Sequence, residues 1–301
     1  MEFGKLSDIS QVDFRLPPDP DQNKRILPGI QTGPCTVYVG CTGWSMKEWV
    51  GRVYPAGTRS SDYLKAYARQ FNTIELNTTH YRIPDADTVD RWRDTVPADF
   101  RFCPKLPQTI SHREDLGLAS GQTAAFCKAI AGLDNTLGCS FLQLPPQIDE
   151  KALSRLRRFL DVLPAEVPMA IEFRHPGWFQ EQAAPLQFLA DYDTAAVITD
   201  VAGRRDVAHM QLTNRTVMVR FVGNNLHPSD YARIDEWVSR LLQWAKAGLE
   251  KVYFFTHEPD NLQAPELAAY LVKKLQMIAN FETRGPQFFD NQPTGGQLSL
   301  F

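Results

Sequence analysis

Charged and amide side chains sit inside runs that are otherwise apolar. Glu75, Asn77 and Thr79 alternate along TIELNTTHY (73–81), and Glu172 and Arg174 alternate along MAIEFRH (169–175). Side chains in a strand point to opposite faces in turn, so each set shares one face. Buried charges are costly unless they pair with each other or with a ligand. Other apolar runs end on Lys105, Gln143, Asp200, Arg220, Asn224 and the pair His257 and Glu258. Lys105, Arg174 and Arg220 read as a cationic patch for a phosphate or carboxylate, because guanidinium forks match such oxygens. Glu75, Glu172 and Lys105 are the candidate acid and base groups of a reaction. Trp44 and Tyr81 offer flat faces to a sugar ring or a base. The competing reading is a closed ion-pair network, with Glu172 on Arg220 and Glu75 on Lys105.

Five of the six histidines, His80, His112, His175, His227 and His257, fall at or just beyond the ends of these runs. With Glu75, Glu172, Asp200 and Glu258 they are chemically able to hold a divalent metal. No H-E-x-x-H or H-x-H spacing accompanies them, so no metal ligand and no cofactor is assigned.

Eight short apolar runs supply these positions: 36–44, 73–81, 101–107, 137–145, 169–175, 194–201, 216–224 and 251–258. Amphipathic segments separate most of them. Leu64, Tyr67, Ala68 and Phe71 follow helical spacing, as do Ile234, Trp237, Val238 and Leu241. Gly248 and Pro265 sit where a helix should stop and the next should start. Strands alternating with helices predict an α/β fold, a single (β/α)8 TIM-type barrel over residues 35–281 with its chemistry at the C-terminal strand ends. A doubly wound sheet is the alternative, weakened by the lack of a G-x-G-x-x-G or P-loop run. Residues 1–34, with five prolines and little periodicity, predict an extended lead lying across the body. Residues 282–301 predict a flexible tail.

With 43% hydrophobic and 22% charged residues the chain is of globular type, and no run approaches the roughly 20 apolar residues of a membrane span. The first 29 residues lack the apolar centre of a secretory signal, so a cytoplasmic location is expected. Five cysteines without a C-x-x-C pair fit a reducing compartment and small buried core positions. A formal net charge of −3 counts against extended duplex binding, which needs many cations on one surface.

Several blocks together, GCTGWSMKEWVGRVYP, FNTIELNTTHYRIP, DFRFCPKLPQTISH, FLQLPPQ and IEFRHPGWF, resemble in order and spacing the YecE-like family, domain of unknown function 72. The resemblance covers roughly residues 36 to 280. It implies a TIM-barrel fold and no settled activity, with an analogy to endonuclease IV-type barrels on fold grounds. The positions carried over are Gly43 and Trp44; Glu75, Asn77 and Tyr81; Lys105 and His112; Gln143; Glu172, Arg174 and His175; and Arg220. Three places depart from the family pattern: His80 replaces the aromatic before the tyrosine, Val222-Gly223 replaces HG, and THEPD replaces an Asn-rich end.

The last five residues, QLSLF, resemble the short peptide by which bacterial replication and repair proteins bind the sliding clamp. Gln297 would supply a directed hydrogen bond, and Leu298, Leu300 and Phe301 about 1.5–3 kcal/mol each on burial, less the ordering cost. Three functions remain open from sequence. One is an enzyme on DNA or a phosphorylated nucleic-acid fragment, associated with repair and recruited by the clamp. The second is an enzyme on a small phosphorylated sugar or other anionic metabolite, and the third a non-catalytic adaptor.

Overall fold

The computed structural model describes residues 3–27, 29–31, 33–180 and 186–289. Nine strands run through it: β1 (Cys35–Gly40), β2 (Thr73–Leu76), β3 (Arg101–Pro104), β4 (Ser140–Gln143), β5 (Met169–Glu172), β6 (Ala195–Asp200), β7 (Thr216–Val222), β8 (Lys251–His257) and β9 (Phe281–Glu282). α1 (Asn23–Ile26) precedes β1, and between the strands lie α2 (Tyr63–Gln70), α3 (Ala86–Thr95), α4 (Gln108–Ser111), α5 (Gln122–Ala131), α6 (Leu153–Asp161), α7 (Pro228–Lys246) and α8 (Ala264–Gln276). Helix entry follows local chemistry. Asp85 accepts the Thr88 N–H at 2.9 Å to cap α3, while His227 caps α7 ahead of Pro228, whose missing N–H costs nothing there. Ile234, Trp237, Leu241 and Trp244 bury one stripe of α7 against the sheet. Each contributes on the order of 1.5–3 kcal/mol.

Seven strands form one parallel sheet in the order β4-β5-β6-β7-β8-β1-β9, and β2 pairs with β3 in parallel. The predicted α/β class and its parallel strands are therefore present, but the ladder does not close into one sheet. The β2–β3 pair is tied to β4 through the Gly138 N–H on the Phe102 carbonyl (2.7 Å) and the Leu106 N–H on the Phe141 carbonyl (2.9 Å). Toward β1 the Glu75 N–H reaches the Cys41 carbonyl at 3.1 Å.

The gap beside β1 has a side-chain cause. The Asn72 amide accepts the Val39 N–H at 2.7 Å and donates to the Val37 carbonyl at 3.0 Å, taking the place of a neighbouring strand. Above it the backbones press together, since a Cβ on Gly40 would lie 2.1 Å from the Thr73 carbonyl oxygen. Only glycine permits that approach.

Several strands are shorter than the sequence predicts. β2 stops at Leu76, and Asn77–His80 turns into a 3-10 helix, so Asn77 and Thr79 do not continue the strand alternation. Thr79 Oγ1 donates to the Leu76 and Lys105 carbonyls, a local hydrogen-bonding alternative to the ladder. β5 likewise stops at Glu172, leaving Arg174 in the following loop.

The N-terminal lead lies across the body. Asn23, buried, bonds the Met210 carbonyl and the Leu212 N–H. Asp19 takes Arg240 and the Trp244 Nε1–H, and Phe14 lies under Arg233. All five cysteines are free and buried. Burial pushes the thiols of Cys35, Cys41 and Cys139 up to about 12 and that of Cys127 up to about 11. Among the described residues no helix is long and apolar enough to cross a membrane.

Candidate functional site

Parity along the strands builds the site. Tyr38, Cys103, Phe141, Ala170, Val197, Met218, Tyr253 and Phe255 pack together as one buried apolar cluster. Two residues further along the same strands the side chains turn polar: Lys105 after Cys103, Gln143 after Phe141, Glu172 after Ala170, Thr199 after Val197, Arg220 after Met218 and His257 after Phe255. Glu75 joins them from β2. A polar layer thus sits on an apolar floor, with the Arg220 guanidinium 5.7 Å from the Phe141 ring centre.

Arg220 organises this layer. Its Nε and one terminal nitrogen reach Glu75 at 2.8 and 2.9 Å, and its other terminal nitrogen reaches both Glu172 oxygens at 3.0 and 2.8 Å. Arg220, Glu75 and Glu172 are each no more than 1% exposed. The Glu75 carboxylate also meets His257 Nε2 at 3.0 Å and the Asn77 amide at 3.0 Å. Glu172 accepts the Gln143 amide at 2.7 Å, Thr199 Oγ1 at 3.2 Å and Arg174 Nε at 3.2 Å. Lys105 Nζ donates to Gln143 Oε1 at 2.8 Å. The expected Glu172–Arg220 pair is present, whereas the expected Glu75–Lys105 pair is replaced by Glu75–Arg220. Arg220 meets Glu75 with a two-nitrogen fork and still has a third nitrogen for Glu172, a fit that an ammonium cannot match.

These contacts set the protonation states. Burial raises Glu75, but Arg220 and then His257 outweigh it and hold the carboxyl well below its usual range. Burial also raises Glu172, and Arg220 with Arg174 brings it down to about 2. Lys105 is pushed down to about 8, first by burial and then by Arg220. His257 is lowered by burial against the pull of Glu75. With both carboxylates ionised against Arg220, Lys105 and Arg174 leave the layer with a surplus of positive charge.

A cavity of about 710 Å³ opens above the layer, lined by Glu75, Asn77, Tyr81, Lys105, Gln143, Arg174, Arg220 and His257 among the predicted residues. Tyr81 is 73% exposed at its edge. Five predicted residues of the body are not among its described lining; of these Glu172 lies buried beneath it, against Arg220. Trp44 packs edge-on to Trp92 at 6.0 Å, and its carbonyl holds the Tyr54 hydroxyl. His112 lies 6.0 Å from His80 with Nδ1 against the Ser111 hydroxyl, and His175 accepts the Gly177 N–H as a helix cap. Asp200 follows Thr199 on β6 and so faces the helix layer, where Arg205, Arg233 and the Trp237 Nε1–H hold it.

Sequence reasoning missed Thr42, Thr199 and the lead. Strand parity from Val197 would have found Thr199 in place of Asp200, but nothing in the lead's pattern marks Phe3, Gly4, Lys5 or Ser7, which also line the cavity. Glu258, at the rim, is raised to about 7 by burial, although its carboxylate accepts the Asn225 and Leu226 N–H groups. Among the described residues no group of three or more His, Cys, Asp and Glu is placed to hold a metal ion. Gln297, Leu298, Leu300 and Phe301 lie outside the described residues.

Comparison with known proteins bears on the body of the chain. The model for a protein of unknown function, DUF72, matches residues 38–288. The UPF0759 protein YecE of Escherichia coli K12 is 33% identical over 261 residues, covering 80% of this chain and 93% of that one. Two solved structures share the fold. A DUF72 family protein of Enterococcus faecalis V583 has a TM-score of 0.62 at 22% identity and covers 80% of this chain and 98% of its own. One from Thermotoga maritima MSB8 has a TM-score of 0.62 at 23% identity, covering 81% and 99%. The chain belongs to the DUF72 family.

Proposed function

We propose that the cavity is an enzyme site for a small organic anion, such as a phosphorylated sugar or a phosphorylated nucleic-acid fragment. In this reading Arg174 and Lys105 hold the anionic group and Lys105 moves the proton. One observation carries it: Arg220, Arg174 and Lys105 are three cations around two carboxylates, and Lys105 meets only the neutral Gln143 amide oxygen, so one positive charge at the cavity is left without a carboxylate. A volume of about 710 Å³ is of small-molecule size and favours such a ligand over a DNA duplex. A lysine held at about 8 is mostly an ammonium at neutral pH yet close enough to exchange its proton. Glu75 and Glu172, kept ionised, have no proton to donate. Their part is to orient Arg220 and Arg174. The β2–β3 pair then completes a (β/α)8-type wall around the ligand.

Isothermal titration with inorganic phosphate, a hexose phosphate and a nucleoside monophosphate tests this. Binding of at least one, lost in Arg174→Gln, supports the reading, and no binding of any by the wild type at millimolar concentration refutes it. A second reading concerns recruitment. The QLSLF end favours docking on a bacterial sliding clamp, which would bring the site to replicating or repaired DNA. Removing residues 297–301 should abolish retention by purified clamp in a pull-down, and equal retention would exclude that route.

A further inference from the structure

The cavity has a wall that does not come from the sheet. Residues Phe3, Gly4, Lys5, Leu6, Ser7 and Ile9 line it, and all of them precede residue 38, where the family match begins. We infer that residues 3–9 are a specificity element laid over the cavity, restricting it to compact ligands with one anionic group. The clause about the anion rests on the function proposed above; the wall itself does not.

Its docking is built residue by residue. The Phe3 ring covers the Arg174 guanidinium at 4.4 Å and faces Arg204 at 5.0 Å. Arg174 is the cation that also donates to Glu172, so the lead touches the charged layer directly. One residue on, the Gly4 carbonyl accepts the Gly203 N–H at 2.8 Å. The two segments cross at glycines on both sides. Gly4 has φ +69°, and a Cβ there would lie 2.8 Å from Val201; a Cβ on Gly203 would lie 2.8 Å from the Gly4 carbonyl. Leu6 then packs over Gly203, and Lys5 adds a further cation to the lining. Phe14, Asp19 and Asn23 hold the rest of the lead independently of this crossing.

An aromatic face on a guanidinium leaves its N–H edge free for an anion. The wall thus fixes Arg174 in the plane of approach and closes the side from which a long polymer would enter. A single charged group with a small body fits, and a continuous strand does not.

Access to Lys105 reads the wall without knowing the substrate. The full-length chain, Phe3→Ala and Gly4→Val are acylated with acetic anhydride, and Lys105 modification is quantified by peptide mass spectrometry against exposed Lys128 and Lys246. Both variants should label Lys105 about fivefold faster than wild type, the shift that loss of one cation–π contact permits. Labelling of Lys105 in both variants at the wild-type rate overturns the inference. Inorganic phosphate is included as a protecting probe. Its failure to protect the wild type counts against the anion reading, while the variant comparison still decides the wall.

Discussion

Replacing Arg220 with Met keeps the volume and removes the charge that two buried carboxylates share. Glu75 and Glu172 are both essentially inaccessible to water, and each has two short contacts to the guanidinium. Breaking a buried pair by removing one partner costs about 3–5 kcal/mol, and here one substitution takes the main cation from two carboxylates, leaving Glu172 only Arg174 and Glu75 only His257. Against a total stability of about 5–15 kcal/mol the loss should be at least about 4 kcal/mol at pH 7. Urea denaturation followed by circular dichroism reads it as a fall in midpoint of more than about 1 M at an m-value near 3 kcal/mol/M. The pH dependence identifies the cause. Stranded carboxyls titrate above their unfolded values, so their neutral form is favoured in the fold. A raised folded value adds stability below the unfolded one and loses it as pH rises. The variant should therefore recover stability as pH falls from 7 toward about 4.5. Adding Glu75→Gln and Glu172→Gln to the variant should restore most of the loss at pH 7. A single variant within about 1 kcal/mol of wild type, or a triple variant no better than the single, refutes the argument that uncompensated charge is what Arg220 prevents.

Lys105 gives a pH signature of opposite kind. Its value of about 8 lies below that of an unfolded lysine, so the unfolded chain binds more protons between about pH 8 and 10.4 and this residue's penalty is relieved as pH rises through that window. The difference in stability between Lys105→Met and wild type should thus favour the variant at pH 7 and shrink by pH 10, measured by chemical denaturation at both; a constant difference contradicts the shift. Gly40→Ala should cost several kcal/mol, because its methyl group would stand 2.1 Å from a backbone oxygen of β2 that has no flexible end to move. A thermal melt within a few degrees of wild type would show that the β1–β2 seam yields.

Eight of the nine strands were legible as short apolar runs interrupted or followed by polar residues, whereas the two-residue β9 carries too little pattern to be read. It also indicated the Glu172–Arg220 pair, since both residues interrupt apolar runs at equivalent places. The partner of Glu75 was not legible: periodicity tells which face a side chain occupies, and leaves open which strand stands across from it. The open ladder beside β1 was hidden for a related reason, because Asn72 looks like an ordinary loop residue until its amide is seen bonding Val39 and Val37. Asp200 was misplaced by reading the polar end of β6 without following parity from Val197. The lead is held by isolated anchors, Phe14, Asp19 and Asn23, which produce no repeat for a sequence pattern to catch.

The five sequestered sulfurs turn the chain into its own unfolding reporter. Alkylating agents need the thiolate, which the native interior suppresses, so intact molecules should be nearly inert to iodoacetamide while opened ones react at five points. Each transient opening would then be recorded as a permanent mass increment. The position of the first sulfur modified, Cys35 and Cys41 flanking β1 or Cys127 on α5, would tell which part of the body gives way first.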